Sequence, residues 1–209
     1  VHPFYLIGGF FLAWIYSAGT MPATVWAIRT TMKEGPLTGF KVSLALSLSQ
    51  TLWAFVAVTL LFTSGKVVIL LDPALRVFLG GAFIWLALSV KRAPAMETLA
   101  LEEGTAIKFA QTFKSSFLMP WRLLIWLGVF LAVSVHLRQP GFFAACLAAL
   151  GACAGLIVWN LYFVGLTWLF AKRVPEPITL KSVNKLRLLA FTVYLGLALV
   201  ICSPMILLI

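Results

Sequence analysis

Long apolar runs separated by brief polar punctuation bound what this chain can become. A helix of about 20 residues crosses the roughly 30 Å hydrocarbon core of a bilayer. Runs suited to that length cover about Pro3 to Thr30, Gly39 to Thr63, Leu75 to Val90, Phe109 to His136, Phe142 to Phe170 and Lys185 to Leu208. No Asp or Glu is expected inside any of them, and Asp72 falls in a connection. The charged fraction is 11%, against about a quarter in a soluble domain. Mean hydropathy is +1.05. These values exclude a soluble enzyme, a disordered chain and a disulfide scaffold. The expectation is an all-α integral membrane protein of six transmembrane helices, one domain over residues 1–209.

The formal charge of +10 fits this picture. Basic residues flank apolar runs, where the positive-inside bias and anionic lipid account for them. No stretch has the basic, aromatic-interleaved character of a nucleic-acid face. One side of the six-span arrangement carries Arg29, Lys33, Lys41, Lys91, Arg92, Lys108, Lys114, Lys172, Arg173, Lys181, Lys185 and Arg187, the other only Lys66, Arg76 and Arg138. This places both termini outside the cytoplasm. No positively charged region precedes the first apolar run, as a cleavable signal requires.

Two prolines punctuate the pattern. The first span is interrupted over Ser17-Ala18-Gly19-Thr20-Met21-Pro22, and the fourth at Met119-Pro120. Proline lacks the amide donor and blocks a carbonyl one turn earlier, so helices 1 and 4 are expected to break there. Division into residues 1–92 and 108–209, with a cytoplasmic linker over 93–107, gives two halves that each open on a broken helix. Three helices per half reverse direction through the membrane, the arrangement of two inverted three-helix repeats whose broken helices meet at a midplane site. A simple kink at each proline is the other reading.

The segment from Gly19 to Gln50 resembles the N-terminal signature of LysE-type amino-acid exporters. That family has Pro-Gly-Pro, a glycine thirteen residues after the second proline, and another four further on. Pro22, Gly35 and Gly39 keep that register. The small and polar run of helix 2 reads Ala45, Ser49 and Gln50, and Phe109 and Phe113 stand eleven and seven residues before Pro120, as in the family's fourth helix. Gly81 to Ser89 and Gly196 also fall at small-residue positions. Two motifs depart: Pro-Gly-Pro is Thr20-Met21-Pro22, and Asn-Pro-Lys is Met119-Pro120-Trp121. The resemblance implies a multi-pass protein of the bacterial cytoplasmic (inner) membrane. Its implied activity is export of small metabolites, amino acids or related zwitterions, by alternating access.

Candidate substrate-binding residues are Thr20, Pro22, Gln50, Pro120, Trp121, Arg122 and Asn160. A charge in hydrocarbon costs at least about 2.5 kcal/mol. Arg122 therefore either faces the interior to receive an anionic or carboxylate-bearing substrate, or snorkels to the cytoplasmic interface. Lys114 reads as an interface anchor. Gln50 and Asn160, with Ser17, Ser47, Ser49, Ser115 and Ser116, either join helices by hydrogen bonds or line a path. Trp121 and Trp126 are pocket or packing residues beside the second break.

Gly151 and Gly155 form a small-x-x-x-small face on helix 5, for packing within the chain or in a homodimer. His2 and His136 are too few for a metal site, and no cofactor motif, nucleophile triad or phosphate loop is present. The expected partners are thus a small-molecule substrate and membrane lipid. Cys146 and Cys153 share a face of helix 5, whereas cytochrome-c-biogenesis thiol carriers of similar architecture bear cysteines on the first helix of each half. A thiol carrier is therefore the weaker alternative, and a non-transporting membrane subunit or degenerate paralogue the stronger.

Overall fold

The computed structural model describes residues 2–19, 21–63, 65–92, 109–133, 141–171 and 176–206. Among them the fold is all-helical. The elements are α1 (His2–Gly19), α2 (Met21–Glu34), α3 (Pro36–Thr63), α4 (Gly65–Arg92), α5 (Phe109–Phe117), α6 (Trp121–Val133), α7 (Gly141–Ala171) and α8 (Glu176–Ile206). Three stretches are long and apolar enough to cross a membrane: Pro36–Thr63, Asp72–Arg92 and Gly141–Phe170. Phe109–Phe117 and Trp121–Ala132 qualify together as a fourth, bent by 72°. The first and last expected spans correspond to shorter apolar stretches, Pro3–Ser17 and Leu188–Ser203.

The second expected break is present, at Leu118–Pro120, while the first expected break falls at Thr20, outside the described residues. On either side of it α1 is described to Gly19 and α2 from Met21, and Pro22 has helical backbone. α5 stops three residues short of Pro120, whose ring cannot follow Ser116 through another helical turn. The backbone groups at this second break find other partners. Leu118 N–H still reaches Lys114 O at 3.0 Å. Arg122 N–H and Leu123 N–H reach back three residues, to Met119 O at 3.2 Å and Pro120 O at 3.0 Å. Phe117 O, which an unbroken helix would bond to residue 121, instead accepts from Trp53 Nε1 at 3.1 Å. In a medium without water such replacements allow a helix to break.

Glycines set the closest approaches. Gly35 has φ +89° between Glu34 and Pro36 and turns α2 into α3. A Cβ on Gly39 would fall 1.9 Å from Thr31 Oγ1, so α2 and α3 pack side by side. α1 lies against α7 with almost no gap: a Cβ would fall 2.1 Å from Ala148 O at Gly9, 2.0 Å from Leu6 O at Gly151 and 2.4 Å from Phe10 O at Gly155. The Gly151–Gly155 face is thus covered from within the chain. α3 also packs on α7, the α5–α6 pair on α3, and α4 on α8. The core gathers at the second break around Trp126, Tyr16, Phe83, Leu79 and Ile201, all nearly solvent-free.

Outward faces are apolar too. On α3, Leu48, Leu52, Val56 and Leu60 are exposed at four-residue intervals, while Ala54, Ala57 and Val58 are buried. Such faces on every side suit a lipid surround and would be an aggregation hazard in water.

The expectation for Asp72 is corrected. The third span was placed from Leu75, with Asp72 in the connection before it and Arg76 at its first turn. α4 instead begins at Gly65, and both residues lie in the helix. Arg76 is buried, donating from Nε to Asp72 Oδ2 at 2.7 Å and from Nη1 to Ile201 O of α8 at 3.2 Å. The opposite charges one turn apart neutralise each other, so the helix continues through what reads as a polar connection.

Candidate functional site

Pro120 is the origin of the site. By ending α5 and redirecting α6, it turns Arg122 inward in the first turn of the new helix. Arg122 is only 7% exposed. Its Nη1 donates to Ser116 Oγ on α5 and, at 3.5 Å, to Ser49 Oγ on α3. The two serine hydroxyls also bond each other. Ser49 directs a further contact to its own helix, at Leu46 O, 2.9 Å away. The guanidinium carbon lies 5.9 Å from the centre of the Trp121 ring, within the range of a cation–π contact. Neutral hydroxyls and an aromatic face surround the guanidinium within the fold.

Among the described residues no carboxylate pairs with Arg122; the ion pair found there joins Arg76 to Asp72. A buried guanidinium facing only neutral partners leaves the desolvation cost of its charge largely uncompensated. An anion bound beside it would supply the missing counter-charge.

Arg122 borders a cavity of about 840 Å³ between α4, the α5–α6 break, α1 and α8. This is within the volume range of small-molecule sites. Tyr16 and Tyr194 form its inner end with Phe83, and Ser115, Ser116 and Ser89 contribute hydroxyls. Leu86, Val90, Leu124, Ile125, Met119, Trp85 and Trp121 make most of the remaining wall apolar. The inner end is held rigidly by ring packing. Tyr16 lies on Trp126 with centroids 4.4 Å apart, and Phe83 meets Tyr194 at 5.9 Å.

The structure brings some candidate residues together and separates others. Trp121 and Arg122 line the cavity. Pro120 shapes it without lining it. Asn160 belongs to a different cluster: its Nδ2 donates to Ser47 Oγ at 2.7 Å and to Leu156 O at 3.0 Å, joining α7 to α3. Gln50 is buried on α3, outside the cavity lining, and its Oε1 accepts no hydrogen bond. Pro22 is positioned by the backbone of α2, and Thr20 lies outside the described residues. Trp126 packs beneath Tyr16, its Nε1 without a partner. Lys114 is exposed on α5.

Tyr16 and Tyr194 escaped sequence reasoning, although a signal existed. Tyrosine favours the membrane–water boundary, yet both stand well inside apolar runs. A hydroxyl at that depth calls for a polar neighbour.

No other chemistry assembles. Among the described residues no three of His, Cys, Asp and Glu come together as metal ligands. Cys146 and Cys153 lie on α7 and Cys202 on α8, all as free thiols. No family model matches the chain, and no curated protein or solved structure is significantly similar to it.

Proposed function

We propose that the chain is a secondary transporter that exports small metabolites, with amino acids or related zwitterions as the first class to examine. The observation that carries this reading is the buried Arg122 guanidinium, without a carboxylate partner among the described residues, at the wall of a cavity beside a broken helix. Discontinuous helices in corresponding positions of two halves are the mark of transporter binding sites. A receptor charge in the fold interior is costly unless a ligand or partner uses it.

The two-repeat reading has support in the packing. α1 against α7 has its counterpart in α5–α6 against α3, while α3–α7 and α4–α8 are contacts that an exchange of halves returns to themselves. On this reading six spans cross the bacterial cytoplasmic membrane as two inverted halves. The likeness of Pro22, Gly35, Gly39, Phe109, Phe113 and Pro120 to the LysE-type pattern supports the same assignment. Two of these residues have local physical reasons of their own: Gly35 takes a left-handed turn, and Gly39 admits Thr31.

The test is efflux from proteoliposomes preloaded with labelled amino acids, comparing the native chain with Pro22→Ala plus Pro120→Ala and with Arg122→Gln. Protein-dependent efflux should fall at least tenfold in both variants at equal insertion. Native-level efflux from Arg122→Gln would remove the guanidinium from the transport path. No efflux from well-folded native protein would favour the non-transporting subunit.

A further inference from the structure

We infer that the Arg122 cavity opens sideways to the lipid between α4 and the α5–α6 break, and that its ligand is an amphiphile with one anionic head group entering from the bilayer. This rests on the reading of the cavity as the substrate site for a small metabolite, and among such solutes it selects an amphiphilic anion over a free zwitterion.

The residues lining the cavity divide by exposure. Tyr16, Phe83, Tyr194 and Arg122 are buried, while Trp85 is 66% exposed and Trp121 is 47% exposed. Met119 and Leu124 also face outward. A path therefore runs from an aromatic rim on the lipid-facing side to a cation at its inner end. α4 and α6 touch where the Phe83 ring lies on Gly128, a Cβ there falling 2.3 Å from the ring. Beyond that contact, Leu86, Ser89 and Val90 of α4 face Ser115, Ser116 and Met119 across the cavity.

The charge inventory selects the head group. Arg122 is the cation in the lining, and no Asp or Glu lines the cavity among the described residues. A carboxylate or phosphate monoester can displace the neutral serine acceptors of the guanidinium and make charge-assisted bonds in their place. A substrate ammonium would find no carboxylate there. Beyond the head group the wall is apolar, which suits a chain or ring and leaves a second charge without solvation. Rim tryptophans hold amphiphiles at such an opening because their rings are apolar and their indole N–H is polar.

The experiment uses the full chain in nanodiscs of uncharged lipid, with dansylated undecanoate as the fluorescent probe. Saturable binding is expected, with displacement by dodecanoate and by dodecyl phosphate but not by dodecanol or leucine. The ratio of the two effective competitors distinguishes a carboxylate from a phosphate head. Arg122→Gln should weaken binding at least tenfold. Ala82→Trp, which fills the cavity while leaving Arg122 intact, should do the same and decides the matter if Arg122→Gln does not fold. Equal displacement by dodecanol, unchanged binding in Arg122→Gln or Ala82→Trp, displacement by leucine alone, or no saturable binding would each overturn the inference. Amino-acid and dodecanoate efflux are scored separately on the same preparation. Efflux of amino acids without amphiphile binding overturns only this inference. Amphiphile binding without efflux of either solute overturns only the transport reading.

Discussion

Arg76 and Arg122 show how a single guanidinium can be stabilised in two ways within one fold. Arg76 has its own counterion one turn earlier and a carbonyl on the neighbouring helix. Arg122 has only hydroxyls and a ring. The first arrangement is self-contained, whereas the second leaves the charge without a counterion among the described residues. Asp72→Asn should therefore destabilise the protein by about 2–3 kcal/mol, below the full cost of orphaning a buried charge because Asp72 is 33% exposed. Adding Arg76→Met should restore most of that loss, since an apolar side chain replaces the unpaired charge. Thermal unfolding in detergent measures both, and a double variant no more stable than Asp72→Asn would contradict the ion-pair account. At this scale the sequence was partly legible. Arg122 stood out because no other cation lies so deep in an apolar run, but Tyr16 and Tyr194 did not, because their meaning depends on meeting each other and Arg122 across three helices.

Proline and glycine chemistry governs the elements. The break at Leu118–Pro120 was readable because a missing amide and a clashing ring act on the local backbone whatever surrounds them. The α1–α7 contact follows equally local chemistry. Gly9, Gly151 and Gly155 bring two backbones together where any side chain would strike a carbonyl oxygen. Gly151→Leu should cost about 3 kcal/mol, the upper end of the usual range for overpacking, and lower the midpoint of thermal unfolding. Gly8→Leu on α1, where a Cβ meets nothing within 4 Å, should be nearly neutral. Equal effects of the two variants would remove the close approach as an explanation. The start of α4 was misread because polar residues mark loops only when their charges are unpaired. Asp72 and Arg76 are spaced to cancel on one helical face.

For the whole molecule, orientation follows from charge and the site from packing. The charge bias predicts both termini outside the cytoplasm; a cysteine replacing Lys33 or Arg92 should then resist a membrane-impermeant maleimide added to intact cells, and one replacing Arg138 should react, in a chain whose three native cysteines are replaced. The reverse labelling pattern would invert the assigned topology. The six-span arrangement also requires the short apolar stretches of α1 and α8 to cross. Their close contacts with α7 and α4 are consistent with that requirement, since each lies beside a helix long enough to span.

Composition and proline placement determined, without any structure, that the chain is helical, suited to a membrane and broken before Pro120. These properties rest on solvent transfer and backbone geometry, which act residue by residue. The convergence of Ser49, Ser116, Arg122, Tyr16 and Tyr194, and the separation of Asn160 and Gln50 from that cavity, were decided by the tertiary structure alone. In a soluble protein a polar face and an apolar face would have indicated which side of each helix turns inward. Here lipid and protein interior are equally apolar, so that periodic signal is absent. Only the close fit of glycines, rings and redirected helix ends settles which faces meet.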